Sequence, residues 1–158
     1  MKFAFDIETT GLYPEIDEIL SLAIVDEDMK MVYSHRFRPE HTESWEDAER
    51  INGISPEMVK NEPLFRDCVP EIQSVFDRAD AIISYNGKRF DIRFLEAAGL
   101  AFPQEHIDVM ADMLPWRMKL CVLTEKLDYT FNAHDSAEDA KATMYCYQRL
   151  AAGAQIII

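Results

Sequence analysis

Apolar and polar residues alternate strictly from Lys2 to Glu8, with Phe3, Phe5 and Ile7 on one face and Ala4, Asp6 and Glu8 on the other. A period of two is the mark of a β-strand. Thr9-Thr10-Gly11 closes the segment in a turn. Ile19 to Val25 is an almost unbroken apolar run, as expected of a central strand, and Met31 to Arg38 alternates again before Pro39. Three strands with short connections predict an antiparallel meander.

Helical signals then take over. Ser55-Pro56 combines an N-cap residue with proline in the first turn and opens a short helix to about Lys60. A longer helix is expected from about Leu64 to Arg78, a buried strand from Ala81 to Tyr85, and a helix from Lys88 to Ala98 ended by Gly99. A short strand near Ile107 and helical turns between Ala111 and Leu127 follow. Asp135 to Ala151 is the clearest helix, capped by Asp135 or Ser136. Meander first and β-α units after imply an α/β protein: one domain over residues 1–158, with a mixed five-stranded sheet flanked by helices.

The chain of 158 residues, 48% apolar, suits one domain with a proper core. No apolar run approaches the roughly 20 residues of a membrane span, and no segment near Met1 has the pattern of a cleavable signal. A cytoplasmic location is the expectation. Cys68, Cys121 and Cys146 are far apart and odd in number, against a disulfide framework or a thiolate zinc site, and are expected as buried small hydrophobes. The net charge of −13 points away from a protein that coats long nucleic acid through its phosphates. An enzyme that grips one strand end locally remains compatible with it.

Asp6 and Glu8 leave the same face of the first strand about 7 Å apart at Cα. A divalent cation between them would remove their repulsion, and oxygen-only ligands select hard ions such as Mg²⁺ or Mn²⁺ over zinc. Taken alone, the pair is better explained as two surface acids on a solvated edge strand. Asp91 changes that balance, because it shares a helical stripe with Phe94, Leu95 and Ala98 and so faces the core. An unpaired charge is expensive there; pairing with Arg93, or a place at a helix N-terminus, is the plainer alternative. Asp139 repeats the anomaly beside Ala142, Thr143, Cys146 and Leu150. Both helix acids would be satisfied by a shared cluster with Asp6 and Glu8 on the sheet, and four converging carboxylates would need cations. His134, five residues before Asp139, fits a general base as well as it fits a surface loop histidine. The loop reading suits His35, His41 and His106.

With these residues in view, Phe5-Asp6-Ile7-Glu8-Thr9-Thr10-Gly11 resembles the first motif of the DnaQ-like DEDDh exonucleases. Tyr85-Asn86-Gly87-Lys88-Arg89-Phe90-Asp91 resembles the second, and His134-Asp135-Ser136-Ala137-Glu138-Asp139-Ala140 the third. Asn52-Gly53-Ile54-Ser55-Pro56-Glu57 is similar to the family's segment between the first two. The pieces span nearly the whole chain in the expected order. The resemblance implies an RNase H-like fold and metal-dependent 3′→5′ hydrolysis of single-stranded DNA or RNA ends, releasing nucleoside 5′-monophosphates. It implies two Mg²⁺ or Mn²⁺ ions held by Asp6, Glu8, Asp91 and Asp139, with Asp6 between them and Asp91 acting largely through water. His134 would be the general base. Thr9, Gly11 and Leu12, with Tyr13 beside them, would hold the terminal nucleotide against Gly53 and Ile54, while Asn86 and Phe90 touch the penultimate one. Lys88, Arg89 and Arg93 would supply local positive charge. The family also allows a homodimer.

Ala133 and Asp135-Ser136 replace the arginine-containing form of the third motif, which weakens a replicative proofreading role. The tail Gln155 to Ile158 ends in three isoleucines, suited to the core or to a subunit interface. The competing reading is a catalytically idle nucleic-acid-binding or scaffold module on the same fold.

Overall fold

A computed structural model describes residues 1–157. Its five strands are β1 (Lys2–Thr9), β2 (Ile19–Val25), β3 (Met31–Arg36), β4 (Ala81–Ser84) and β5 (Glu105–Asp108). They lie in the order β3-β2-β1-β4-β5. The meander β1-β2-β3 is antiparallel, and β1-β4 and β4-β5 are parallel. The mixed sheet expected from the hydrophobic pattern is therefore present.

The alternation in β1 has a direct consequence. Phe3, Phe5 and Ile7 enter one core with Phe65, Ile72 and Phe76 of α3 (Phe65–Phe76) and Ile92, Phe94 and Leu95 of α4 (Asp91–Ala97). Ala4 enters a second core on the opposite face, with Ala140, Met144 and Cys146 of α6 (Ser136–Ala151) and Leu123 of α5 (Leu120–Lys126). Asp6 and Glu8 share the face of Ala4, so the first strand presents its acids toward α6.

Several elements depart from the sequence expectation. The helix α1 (Glu46–Asn52) was not foreseen; none of its residues is buried, so it has no apolar stripe to read. The short helix at Ser55 is α2 (Pro56–Val59), with the Ser55 side chain accepting the Met58 N–H. The third strand stops at Arg36, two residues early. A π-helical turn, Val109–Met113, follows β5 directly.

The helix expected from Lys88 begins only at Asp91. Asn86 is left-handed at φ 61°, and buried Asp108 accepts the N–H groups of Asn86 at 2.8 Å and Lys88 at 3.0 Å. Those bonds hold residues 86–88 in a turn and delay the helix. Cys146 is buried as expected, but Cys121 is exposed and Cys68 half-buried, because α5 covers the second core with Leu123 instead. The tail contributes Ala154 and Ile156 to the second core; Ile157 is exposed and Ile158 lies outside the described residues. Among the described residues no helix is long and apolar enough to cross a membrane.

Candidate active site

The site lies where β1 and β4 part. Their parallel pairing runs from Lys2–Ala81 to Ala4–Ile83; beyond it, the Ile7 N–H donates to Asp91 Oδ2 at 3.3 Å. The first residue of α4 thus closes a sheet edge that no strand covers. On the other side of β1 the register with β2 shifts between Glu8 and Thr9, a bulge of the kind that re-aims a side chain beside a site.

Asp6, Glu8 and Asp139 bring carboxylate oxygens within 4.8 Å of one another. Asp91 is only 5% exposed. Burial pushes the Asp6 carboxyl well above its ordinary value, and the charges of Asp91, Asp139 and Glu8 add to the shift. Glu8 rises to about 9, chiefly through burial and then through Asp139 and Asp91. Asp91 rises to about 7 because burial outweighs the hydrogen bond from Ile7. Asp139 also rises to about 7 by burial, opposed by the His134 N–H that it accepts at 3.1 Å.

One observation separates this group from an ordinary polar cluster. Asp6 Oδ2 is buried and has no hydrogen-bond partner. A buried acceptor left without a partner costs about 1–3 kcal/mol, and here three more carboxylates surround it. A hard divalent cation would satisfy that oxygen and relieve the repulsion with the oxygen-only donors present. The residues fit such an ion.

The RNase T family, described as exonuclease, matches residues 3–147. The chain belongs to this exonuclease family. The DnaQ-like, DEDDh resemblance of the three motifs is borne out. A PolC-type DNA polymerase III from Thermotoga maritima is 32% identical over 162 residues, covering 91% of this chain but 11% of the relative. Exonuclease I superposes with a TM-score of 0.78 at 19% identity, over 98% of this chain and 41% of that one. The zinc-bound form of E. coli exonuclease I with single-stranded DNA gives a TM-score of 0.78 at 19% identity, over 96% and 40%. These structures establish the RNase H-like fold. The chain spans a small part of the length of its curated relative and under half of these structures.

Within the exonuclease fold, His134 sits in a left-handed conformation at φ 68° just before α6. Its backbone is tied to Asp139, while its exposed side chain lines a cavity of about 400 Å³ with Ser21, Arg36, Asn52 and Ile54. It is not part of the group of ligand atoms formed by Asp6, Glu8 and Asp139. His35 lines the same cavity from β3, and half-buried His106 on β5 bonds the Ser84 hydroxyl at 2.7 Å. Neither is the surface loop histidine expected; of the three read that way, His41 lies in a loop.

The expected substrate residues divide into exposed and structural ones. Leu12 and Tyr13 are 71% and 63% exposed beside the cluster's strand. Thr9 is buried and donates its hydroxyl to the Gly11 carbonyl at 2.6 Å; a Cβ at Gly11 would collide with the Asp17 carboxylate. Asn52 donates to the Thr9 carbonyl at 3.2 Å and accepts the Ile54 N–H at 2.9 Å, which ties the end of β1 to the segment after α1. Gly53 ends α1 at φ 71°. The Ile54 side chain is buried with Leu20, Trp45 and Val59, so it completes that small core. Phe90 packs on Phe94 with ring centroids 5.0 Å apart and is half-buried. Of the foreseen cations, Lys88 is bonded to Asp112 at 2.6 Å and Arg93 lies 3.5 Å from Glu15.

Sequence reading missed Asp108. It is fully buried and accepts four backbone N–H groups, those of Asn86, Lys88, Met110 and Ala111. It shapes the turn that delivers Asp91. Its one visible signal is an acid directly after the apolar Ile107 at a strand end.

Proposed function

We propose that this chain is a metal-dependent 3′→5′ exonuclease that removes nucleoside 5′-monophosphates from single-stranded DNA or RNA ends. The unpartnered, buried Asp6 oxygen amid Glu8, Asp91 and Asp139 carries the reading. Family membership and the DNA-bound form of E. coli exonuclease I, a fold relative, support the substrate class.

Asp6, Glu8, Asp91 and Asp139 would hold Mg²⁺ or Mn²⁺, two ions per site. When bound, such ions make a nucleophile available near neutral pH and stabilise negative charge on the leaving oxygen. The rest falls to the chain's own groups. Asp91, fixed by the Ile7 N–H, keeps its carboxylate against β1. Asp139 is aimed by α6 and by the His134 backbone. The His134 imidazole, on a short loop that lines the cavity, would take the proton from the attacking water. Leu12 packs on the terminal base, the Thr9–Gly11 backbone holds the 3′ end, Gly53 and the Ile54 backbone close the other side, and Asn86 and Phe90 meet the penultimate nucleotide.

An idle binding module would not need four acids gathered around a buried, unpartnered carboxylate oxygen, which favours catalysis. Incubation of a 5′-labelled single strand with Mn²⁺ tests it. A ladder shortening from the 3′ end is expected, and Asp6→Ala or Asp139→Ala should abolish it in a folded protein. Absence of any product from both DNA and RNA would refute the reading.

A further inference from the structure

We infer that the loop of residues 114–119, with Tyr85 and Asn86, is a track for the single strand upstream of the two nucleotides at the cleavage site. This rests on the exonuclease reading and extends it. The loop joins the π-helical turn to α5 and carries Trp116, Arg117 and Lys119. Trp116 is 43% exposed. Arg117 and Lys119 are exposed, and neither forms an ion pair among the described residues. In a chain of net charge −13, two unpaired cations beside an exposed indole are a local exception.

Three further facts place this exception on a substrate path. Arg117, Met118 and Lys119 line a cavity of about 390 Å³ together with Tyr85, Met110 and Asn86, the residue assigned to the penultimate nucleotide. The Tyr85 hydroxyl donates to the Met118 carbonyl at 2.6 Å, which ties the loop to the end of β4. Tyr85 and Met118 also pack on the core beneath α6, the sheet face that holds Asp6 and Glu8. A strand leaving the carboxylates past Asn86 therefore meets cations for its phosphates and an aromatic face for a base. That pairing is the general means of gripping single strands without reading sequence. Asp112, the nearest acid on the π-helical turn, is already neutralised by Lys88.

The protein's two tryptophans make the test direct. Trp45 is buried, its indole N–H bonded to the Ile54 carbonyl at 2.7 Å, so Trp116 is the exposed emitter. In EDTA, oligo-dT of eight nucleotides should quench tryptophan emission and dTMP should not. Trp116→Phe should remove most of the signal, and Trp116→Ala should weaken octamer binding roughly 5- to 150-fold, the usual range for one stacked base. Replacing Arg117 and Lys119 together by Ala should flatten the slope of log K against log salt by about 1.4, two phosphates' worth. With Mn²⁺, the ratio of kcat/KM for the octamer over a dinucleotide should fall in each variant.

Octamer binding and that ratio as in wild type, with cleavage intact, would overturn the track and leave the exonuclease reading standing. Loss of dinucleotide and octamer cleavage in equal proportion would overturn it as well, pointing to general damage. Quenching by an acidic peptide but not by the octamer would assign the loop to a protein partner. Absence of cleavage by the wild type on every substrate would sink the underlying activity instead.

Discussion

Asp6→Asn should make the metal-free protein more stable while ending its activity. In the wild type, carboxylate oxygens of Asp6, Glu8 and Asp139 lie within 4.8 Å of one another. Two unit charges at that separation repel by about 3 kcal/mol at an effective dielectric constant near 20. Protonation already relieves part of this, since Glu8 is pushed up to about 9. An Asn at position 6 removes one buried charge and can donate its amide to a neighbouring carboxylate. A gain of about 1–3 kcal/mol follows, or about 3–10 °C in Tm for a domain of this size.

The sign with pH is fixed by the direction of the shifts. These carboxyls have folded-state pKa values above their ordinary values of 3.8 and 4.5. The folded protein thus keeps protons that the unfolded chain gives up. Stability from this source is fully present below about pH 4 and is lost as pH rises through about 7, for Asp91 and Asp139, and then about 9, for Glu8. Calorimetry in EDTA at pH 5 and pH 8.5 should find the advantage of Asp6→Asn small at the lower pH and larger at the higher. Mn²⁺ should then raise the wild-type Tm, by about 2.7 kcal/mol of stabilisation at a hundred times its Kd, and barely move the variant. A variant less stable than wild type in EDTA at pH 8.5 would show that the cluster is not a store of repulsion.

His134→Ala should lower kcat by about 10²–10⁴-fold while Mn²⁺ affinity, read by titration calorimetry, changes little; equal loss of both would remove its role as a base. Asp108→Ala leaves up to four backbone N–H groups, one buried and three part-buried, without their acceptor, and should cost about 2–4 kcal/mol, seen as a fall of about 5–15 °C in Tm. Leu12→Ala, at a site 71% exposed, should leave Tm within about 1 °C and raise KM for an oligonucleotide several-fold in a steady-state assay.

The hydrophobic pattern made much of this molecule legible. The two faces of β1 do enter two different cores, and of the two acids read as inward from helical stripes Asp91 is buried and Asp139 half-buried. What escaped was set by contacts rather than by periodicity. The helix α1 buries no residue and so carries no stripe. The late start of α4 depends on Asp108, which lies 20 residues from Lys88 in the chain. Ile54 looked like a substrate contact because its motif is, yet its side chain completes a small core with Trp45. The cations foreseen at Lys88 and Arg93 face acids from distant segments, and those at Arg117 and Lys119 stood in a stretch with no motif to mark them.

The claim at the centre is that the four acids make an ion-dependent site for hydrolysis at a 3′ end. Denaturing electrophoresis of a 5′-labelled single strand, with protein and Mn²⁺ and again with EDTA, tests it most directly. We expect a ladder that shortens one nucleotide at a time from the 3′ end, complete inhibition by EDTA, and no cutting of a circular single strand. Internal cuts in the circle, or a ladder that persists in EDTA, would contradict it.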